Sequence, residues 1–460
     1  MKNLKINFIT IVTYNYSMDL AHALRLASSP ASSQIISLVG AGGKTTALFQ
    51  LARRLSDKSP VIVTATAHLG VWQTSLADHH IIAKGSDGLS SLPEQGVILV
   101  TGEIENERTK PVDNAVTLWL YEKSKEQGIP LLIEADGSRQ KSIKAPAEHE
   151  PPIPEFSEIV LTVAGLSTIG KPLTEEFVHR PKIFSELTGL PIGQPITAKN
   201  IAAMLTHPQG GLKNIPPNAR RIALLNQADT PELQSIGGDM ARELLGKFDS
   251  VVVGSLQRNS LHTIEHTAGI ILAAGQSKRY GSPKQLLDWK GKPFVRHIAE
   301  TALRSGLWPV VVVTGFRSAD VESCLKDLPV KIIHNPEYEA GQSTSIKAGI
   351  SSLPKKAGAV IFLLADQPQI PEDVIRALTE THAKELQPVV APLVLEERRA
   401  NPVLFDRVAF PDLLQLTGDV GGRAIFSKYK VEYIPWHDDI LLLDVDMPDD
   451  YKKLVDIEKL

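Results

Sequence analysis

Two glycine-rich loops, each directly after a short apolar run, constrain the fold of this chain most strongly. The first follows 35–39 and has the sequence GAGGKTT, and the second follows 269–271 and has the sequence LAAGQSKRYGSPK. A loop of the first kind lies between a buried strand and a helix, where backbone amides surround an anion. The chain therefore carries two candidate nucleotide sites, each at the end of its own strand.

Short β-rich apolar runs alternate with segments of helical period along the whole chain. This alternation is typical of βαβ units and mainly parallel sheets, so the predicted fold class is α/β. At 460 residues the chain exceeds what one hydrophobic core usually serves. We predict one domain over 19–255, a second over 268–460, and a linker at 256–267, where the sequence is polar and lacks a clear period.

Composition excludes several functions. The net charge is −3 with both signs interspersed, so neither nucleic acid nor a membrane surface is an expected partner, and small anions are. A single cysteine, Cys324, excludes an internal disulfide framework and fits a reducing cytoplasm. No apolar run approaches the ~20 residues of a membrane span. Residues 1–17 lack the features of a signal peptide, and translation starting at Met1 or at Met18 are both open.

The second glycine-rich loop has the composition that a triphosphate requires. Gly275 and Gly281 let backbone amides approach phosphate oxygens, while Arg279 supplies a fixed positive charge and Lys284 a mobile one. Asp366 ends a predicted central strand, where open α/β sheets bind ligands, and is a candidate Mg²⁺ ligand. The remaining residues predicted to bind this nucleotide are Leu272, Ala273, Ala274, Gln342, Ser343 and Ser345.

The spacing LAAGxSxRxGxxK resembles the MobA-like nucleotidyltransferases, and among them the MocA-like molybdenum cofactor cytidylyltransferases. The resemblance implies a Rossmann-like domain in which Arg279, Lys284 and Asp366 are catalytic and Asp366 holds Mg²⁺. The segment LLLDVDMPDDY is similar to the family's DxDTPEDY, which leaves Asp446 as either a second metal ligand or a helix N-cap. The resemblance also implies a substrate side made of Arg399, Asn401, Gly421, Gly422 and Arg423.

The implied reaction is transfer of CMP from CTP to Mo-molybdopterin, which gives the cytosine dinucleotide and pyrophosphate. Guanylyl-transferring relatives typically have other residues where this chain has Ala274 and Pro283, and this difference favours CTP. Two alternatives stay open: a MobA-like transferase that uses another NTP or phosphate acceptor, and a cofactor chaperone that binds nucleotide without catalysis. A molybdenum hydroxylase apoenzyme is the implied protein partner.

The first glycine-rich loop is a variant phosphate-binding loop, since the strict GxxxxGK[ST] pattern requires glycine where Leu38 stands. Lys44 is predicted to meet the β- and γ-phosphates of ATP or GTP, and Thr45 to bind Mg²⁺. The other residues predicted to bind this nucleotide are Gly40, Gly42, Gly43 and Thr46.

Together with GAGGKTT, the segments IEADGSR, KAPAEHEP, HRP and LNQAD resemble the YqeC-type accessory proteins of selenium-dependent molybdenum hydroxylases. Glu134 and Asp136 end a predicted strand and are candidates to position Mg²⁺ or water. Asn226 and Asp229 resemble the base-binding NKxD of GTPases, with Gln227 in place of lysine. A turn and cap made by the same two residues is an equal alternative.

Overall fold

Runs of valine, isoleucine and leucine form the inner strands of a large mixed sheet, because β-branched side chains pack well on both faces of a buried strand. The computed structural model describes residues 18–26, 34–86, 89, 91–277 and 279–457. Within this part, sixteen strands share one sheet in which parallel pairs predominate. The predicted α/β class is confirmed. Residues 1–17, which bear on the open translation start, lie outside the described residues.

The first half alternates strands and helices. Its strands are β1 (Ile35–Gly40), β2 (Val61–Ala65), β3 (His79–Ile82), β4 (Val97–Thr101), β5 (Ile104–Glu105), β6 (Arg108–Thr109), β7 (Leu131–Glu134), β8 (Ile143–Lys144), β9 (Ile159–Gly165), β10 (Val178–His179), β11 (Arg220–Asn226) and β12 (Ser250–Ser255). Its helices are α1 (Leu20–Ala23), α2 (Lys44–Ser56), α3 (Asn114–Gln127), α4 (Pro181–Thr188), α5 (Ala198–Thr206) and α6 (Pro231–Leu244).

The second half repeats the alternation with more antiparallel pairing at one edge. Its strands are β13 (Ser260–Ala273), β14 (Asp288–Trp289), β15 (Lys292–Pro293), β16 (Val310–Thr314), β17 (Lys331–His334), β18 (Ala357–Leu364), β19 (Val389–Val394), β20 (Arg398–Arg399), β21 (Val403–Asp406) and β22 (Val431–Trp436). Its helices are α7 (Phe294–Arg304), α8 (Ser318–Leu325), α9 (Gln342–Ser351), α10 (Glu372–Glu385), α11 (Phe410–Leu413) and α12 (Pro448–Ile457). No helix in the described ranges is long and apolar enough to cross a membrane.

Strand β13 joins the two halves. Its first half pairs antiparallel with β12, and its second half has β16 and β18 as parallel neighbours. The predicted linker at 256–267 is therefore wrong for residues 260–267, which are strand. In this stretch Leu261, Thr263 and Glu265 are buried in alternation, and the two polar members of that inward row hide the strand from a hydrophobicity pattern. The division into two domains stays a prediction.

The strand order also fixes where the two glycine-rich loops lie. Strands β1, β9, β11 and β12 are mutually parallel, but β12 and β13 are antiparallel. Hence β1 and β13 run in opposite directions, and their carboxyl ends lie at opposite edges of the sheet. The two loops after these strands cannot form one composite site.

A buried charge cluster holds the halves together at β13. Its members are Arg25, Arg220, Glu265, His382, Asp406 and Arg407. Arg25 Nη2 lies 2.7 Å from Glu265 Oε2 and 2.6 Å from Asp406 Oδ2, and both carboxylates are at most 2% exposed. Arg220 and Arg407 also bind Glu265, while His382 binds Asp406 at 2.7 Å. Because the cluster spans residues 25 to 407, its loss would loosen both halves.

We expect Asp406→Asn to lower the free energy of unfolding by about 3–5 kcal/mol, since it removes one of the two carboxylates that bind the buried guanidinium of Arg25 and also removes the charged partner of His382. The matched control is Asp412→Asn, which removes the more exposed ion pair with Lys428 and should cost less than about 1 kcal/mol. Urea denaturation of the full chain measures both. Equal losses for the two variants would contradict a joining role for the cluster.

Acid should act through the same residue. Burial raises the pKa of Asp406, but His382 and Arg25 lower it by more than burial raises it. The net result is a pKa of about 2. A depressed carboxyl pKa stabilises the fold above the unfolded value of 3.8, and this stabilisation is lost as the pH falls through about 2. Between about pH 4 and pH 2, wild type should therefore lose more stability than Asp406→Asn, as urea midpoints across this range would show.

Candidate functional site

The second glycine-rich loop borders a cavity of about 760 Å³ at the carboxyl ends of β13 and β18. Parallel strands bring their carboxyl ends to one edge, so loop and strand-end residues meet there. The predicted residues that line the cavity are Leu272, Ala273, Ala274, Gly275, Arg279, Lys284, Gln342, Ser345, Asp366 and Asp446. Their binding and catalytic roles stay predictions.

Lys284 lies between two carboxylates. Its Nζ donates to Asp366 Oδ2 at 2.8 Å and to Asp446 Oδ1 at 2.6 Å. Burial lowers the pKa of Lys284, whereas the two aspartates raise it, and the net shift is upward. The ammonium group is thus held charged at the mouth of the loop.

The carboxylate of Asp446 faces the cavity. Helix α12 follows it, but the amides of Asp446 and Met447 donate to Asp450 Oδ2 at 3.3 and 2.9 Å. Asp450, and not Asp446, accepts these two backbone amides, and the carboxylate of Asp446 binds Lys284 instead. The geometry therefore favours a role of Asp446 in the cavity over a role as helix N-cap. Next to it, burial and then the charges of Asp366 and Asp446 raise the pKa of Asp444.

The two glycines of this loop differ in what they provide. Gly281 has a φ of +84°, a conformation that other residues rarely adopt, so its role is conformational. Gly275 has no such φ, and a Cβ there would meet no atom of the described residues within 4 Å. The space in front of Gly275 is open to the cavity, and Gln285 Nε2 holds the Gly275 carbonyl at 3.3 Å.

Two predicted residues of the second nucleotide site do not line this cavity. Gly281 acts on the loop backbone as described. Ser343 is 1% exposed, and its hydroxyl has no hydrogen-bond partner in the described structure. The start of α9 turns the Ser343 side chain into the interior, and its nucleotide-binding role stays a prediction. Ser345, two residues on, accepts from Asn335 Nδ2 at 3.0 Å and does line the cavity.

The predicted substrate-side residues also lie outside the cavity lining. Arg423 Nη2 donates to Asn401 Oδ1 at 3.0 Å, and Arg399 lies over the rings of Phe426 and Tyr433. A Cβ on Gly421 would lie 2.8 Å from Gln342 Oε1, so this loop approaches the start of α9. Gly422 is required by packing, since a Cβ there would lie 2.8 Å from Phe405. Their substrate role stays a prediction.

The first glycine-rich loop has the predicted strand–loop–helix context, between β1 and α2. It borders a larger cavity of about 1320 Å³. The predicted residues that line this cavity are Gly42, Gly43, Lys44, Thr45, Thr46 and Glu134. The cavities of the two loops share no lining residue.

Lys44 is almost fully buried at 3% exposure, and its Nζ contacts Gly40 O at 2.6 Å and Asp136 Oδ1 at 3.2 Å. Thr45 Oγ1 donates to Glu134 Oε2 at 2.9 Å. Burial raises the pKa of Glu134, although Lys44 and Thr45 oppose the shift. Thr45 and Glu134 are thus side by side at the cavity, as a shared Mg²⁺ role would require.

Asp136 does not line this cavity, and its predicted metal role stays a prediction. One oxygen lies 3.2 Å from Lys44 Nζ and the other 2.8 Å from Lys144 Nζ, and both accept from the amide of Gly40. Lys144 also forms an ion pair with Glu150, and Glu150 forms one with Arg180. Asp136 therefore binds the backbone and the lysine of the loop from within the protein. It belongs to a buried network of charged side chains that the sequence motifs do not indicate.

The structure gives Asn226 contacts within the protein, and the base-binding role of Asn226 and Asp229 stays a prediction. Asn226 Nδ2 donates to Gly42 O at 2.7 Å, and its Oδ1 accepts from the amide of Leu256 at 3.0 Å. The amide group thus fastens the loop to the end of β12. Asp229 does not line the cavity.

The predicted site residues leave out several side chains that line the cavities. In the second cavity these include Gln276, Tyr338, Glu339 and Asp419, and in the first His68, Trp72, Arg108 and Arg139. Gln276 and Arg139 lie within the quoted motifs, whereas Tyr338, His68, Trp72 and Arg108 lie in none of them.

No cluster of three or more His, Cys, Asp or Glu side chains suited to a metal occurs among the described residues. Asp366 and Asp446 nevertheless share one cationic neighbour. Two hard carboxylates beside a phosphate loop fit Mg²⁺, which usually takes one or two carboxylates and completes its shell with phosphates and water.

Known proteins resemble each half. The YqeC protein family matches residues 36–182, and the MobA-like NTP transferase domain matches residues 269–433. The chain is 34% identical over 209 residues to the uncharacterized protein YqeC of Escherichia coli (strain K12), an alignment that covers 42% of this chain and 75% of that protein. The chain belongs to the YqeC and the MobA-like NTP transferase families, fused in that order.

Two further relatives support the transferase family. The purine catabolism protein PucB of Bacillus subtilis (strain 168) is 30% identical over 199 residues, covering 40% of this chain and 93% of that protein. The nicotine blue oxidoreductase of Paenarthrobacter nicotinovorans is 30% identical over 181 residues, covering 38% of this chain and 85% of that protein. The suspected fusion is confirmed, with a nucleotidyltransferase domain in the second half.

Gly275→Ala tests whether the space in front of the second loop holds a ligand. The added methyl group meets no atom in the described part of the chain, so we expect an unchanged thermal midpoint but nucleotide binding at least about tenfold weaker, because a Cβ blocks phosphate approach. Gly238→Ala, in the interior of α6 and equally unobstructed, should leave nucleotide binding unchanged and raise the thermal midpoint slightly, because alanine is favoured over glycine in a helix. Calorimetric titration with CTP in Mg²⁺ measures the binding, and wild-type affinity in Gly275→Ala would contradict the assignment.

Proposed function

We propose that the second half transfers CMP from CTP to Mo-molybdopterin, and that the first half binds ATP or GTP and assists maturation of a molybdenum hydroxylase. The observation that carries the transferase is the placement of Lys284 between Asp366 and Asp446 beside a glycine-rich loop. A phosphate-transfer site needs this combination of mobile cation, open backbone and carboxylates.

In the proposed reaction, an oxygen of the pterin's terminal phosphate attacks the α-phosphorus of CTP. The new P–O bond forms as the bond from the α-phosphorus to the oxygen bridging to the β-phosphate breaks, and pyrophosphate leaves. Lys284 and Arg279 neutralise the charge that grows on this leaving group. No general base is required, because a phosphate nucleophile is already ionised.

Asp366 and Asp446 are the side chains that would hold Mg²⁺. The ion would supply charge neutralisation on the triphosphate. Lys284 binds the same two carboxylates, so it is positioned to exchange between them and the phosphates. Asp444 lies within the same acidic group, where Gln367 Nε2 donates to it.

Phosphate chemistry fits this site better than the hydride transfer suggested by the name of one relative. Hydride transfer releases no anionic leaving group, so it needs no cation held at the mouth of a glycine-rich loop. The choice of CTP rests on the MocA-like resemblance and on Ala274 and Pro283. The acceptor rests on the resemblance of both halves to proteins of one cofactor pathway.

A nucleotide panel with purified molybdopterin tests the proposal, with pyrophosphate release as the measurement. We expect turnover with CTP, and a fall of roughly 10²-fold in Lys284→Ala, because its charge is most valuable in the transition state. Lys326→Ala, an exposed lysine outside the cavity, is the control and should leave turnover unchanged. Wild-type turnover in Lys284→Ala would overturn the catalytic role of Lys284. Preference for another NTP or another acceptor would overturn the substrate assignment only.

The two sites should act independently. Lys44→Ala should remove NTP binding at the first loop yet leave pyrophosphate release from CTP unchanged, since the cavities share no residue and lie at opposite sheet edges. Lys199→Ala, an exposed lysine on α5, should affect neither property. Equilibrium binding of a labelled NTP analogue and the pyrophosphate assay measure the two. Loss of transfer in Lys44→Ala would show that the sites are coupled.

A further inference from the structure

The first cavity extends well beyond its glycine-rich loop. Its volume of about 1320 Å³ exceeds the ~300–1,000 Å³ typical of a site for one small ligand. Besides the loop and Glu134, its lining includes His68 and Trp72 after β2, Arg108 on β6, and Arg139 after β7. The cavity therefore reaches from the phosphate loop across the carboxyl ends of β7, β2 and β4.

Trp72 offers a flat aromatic surface in this outer part. The side chain is 65% exposed, and its Nε1 lies over Gly70, where a Cβ would be only 2.7 Å away. The amide of Gly70 donates to Gln73 Oε1 at 2.8 Å, which fixes the turn that carries the indole. An exposed indole held in place from behind is suited to stack on a planar ring.

Arg108 and Arg139 make this part of the cavity positive. Neither guanidinium has an ion pair or a side-chain hydrogen bond within the described ranges. Arg139 and Gln140 both have left-handed φ angles, 49° and 60°, in the turn after β7. Four cationic and two acidic side chains line the whole cavity. An anionic group would pair with the two free arginines.

The opposite side of the loop is filled by protein. A Cβ on Gly43 would lie 2.3 Å from Asn226 Nδ2 and 3.8 Å from Leu256, and Asn226 is fully engaged in internal hydrogen bonds. The open volume lies instead on the side of Glu134, toward Trp72. A nucleotide whose phosphates lie on Lys44 and Thr45 leaves this outer volume for another molecule.

We propose that the first cavity binds a second ligand beside the NTP: a planar heterocycle with an anionic group, stacked on Trp72 and paired with Arg108 and Arg139. The proposal rests on the assignment of an NTP to the first loop. A pterin bearing a phosphate and a nucleoside monophosphate share this chemistry. The cavity thus has the organisation of a two-substrate site.

The test uses the full chain and calorimetric titration. A non-hydrolysable GTP or ATP analogue with Mg²⁺ is bound first, and then 6-carboxypterin or GMP is titrated as the probe. We expect one probe to bind the loaded protein at a ratio of one to one, and its identity separates the pterin source from the nucleotide source. Trp72→Leu should weaken the probe at least about tenfold while the NTP analogue changes less than about twofold.

Trp72→Phe is the matched control, because it keeps an aromatic surface and should retain most of the probe affinity. Arg139→Ala should weaken the probe but not the NTP analogue, and thermal midpoints near wild type would show that each variant folds. Three results would overturn the proposal: displacement of the NTP analogue by the probe, equal weakening of both ligands in Trp72→Leu, or no binding of either probe. Failure of wild type to bind any NTP analogue would instead overturn the nucleotide assignment on which the proposal rests.

Discussion

The burial of Glu265 in the middle of β13 is the constraint on which the rest of the structure depends. A buried carboxylate is costly unless cations surround it, and here Arg25, Arg220 and Arg407 do so from three separate parts of the chain. Burial alone raises the pKa of Glu265, yet the arginines bring the net shift below the usual range. Strand β13 can therefore pair with β12 and with β18 without a break. As a result, strands from both halves of the chain belong to one sheet.

Both cavities have a loop lysine paired with an aspartate, but the two aspartates lie in different surroundings. In each, a loop lysine is paired with a carboxylate at the end of a neighbouring strand: Lys44 with Asp136, and Lys284 with Asp366. Asp136 is buried in a network behind the loop, so it fixes Lys44 in position. Asp366 lines the cavity, so in the proposed reaction Lys284 would exchange between the carboxylates and the phosphates of a ligand. The first arrangement fixes a buried lysine, whereas the second leaves its lysine next to open space.

The sequence predicted what depends on local rules. The strand–loop–helix units follow from periodicity and glycine spacing, and glycine spacing together with the family resemblance indicated several residues that line the second cavity. No sequence pattern indicated contacts between a side chain and a distant backbone group. Asn226 looks like a base-binding residue, but the carbonyl of Gly42, 184 positions away, takes its amide. The linker prediction failed for a similar reason, because Glu265 is polar in sequence and neutralised only by residues far along the chain.

The opposed directions of β1 and β13 limit how the two halves can cooperate. Ligand sites at carboxyl ends of antiparallel strands lie at opposite edges of the sheet, and the charge cluster around Glu265 fixes the strand between them. A product formed at one loop cannot pass to the other through a shared cavity in the same chain. If both halves serve one cofactor, transfer between them needs release into solution or a partner that contacts both edges. Fusion then raises local concentration and fixes stoichiometry, and it does not create a channel.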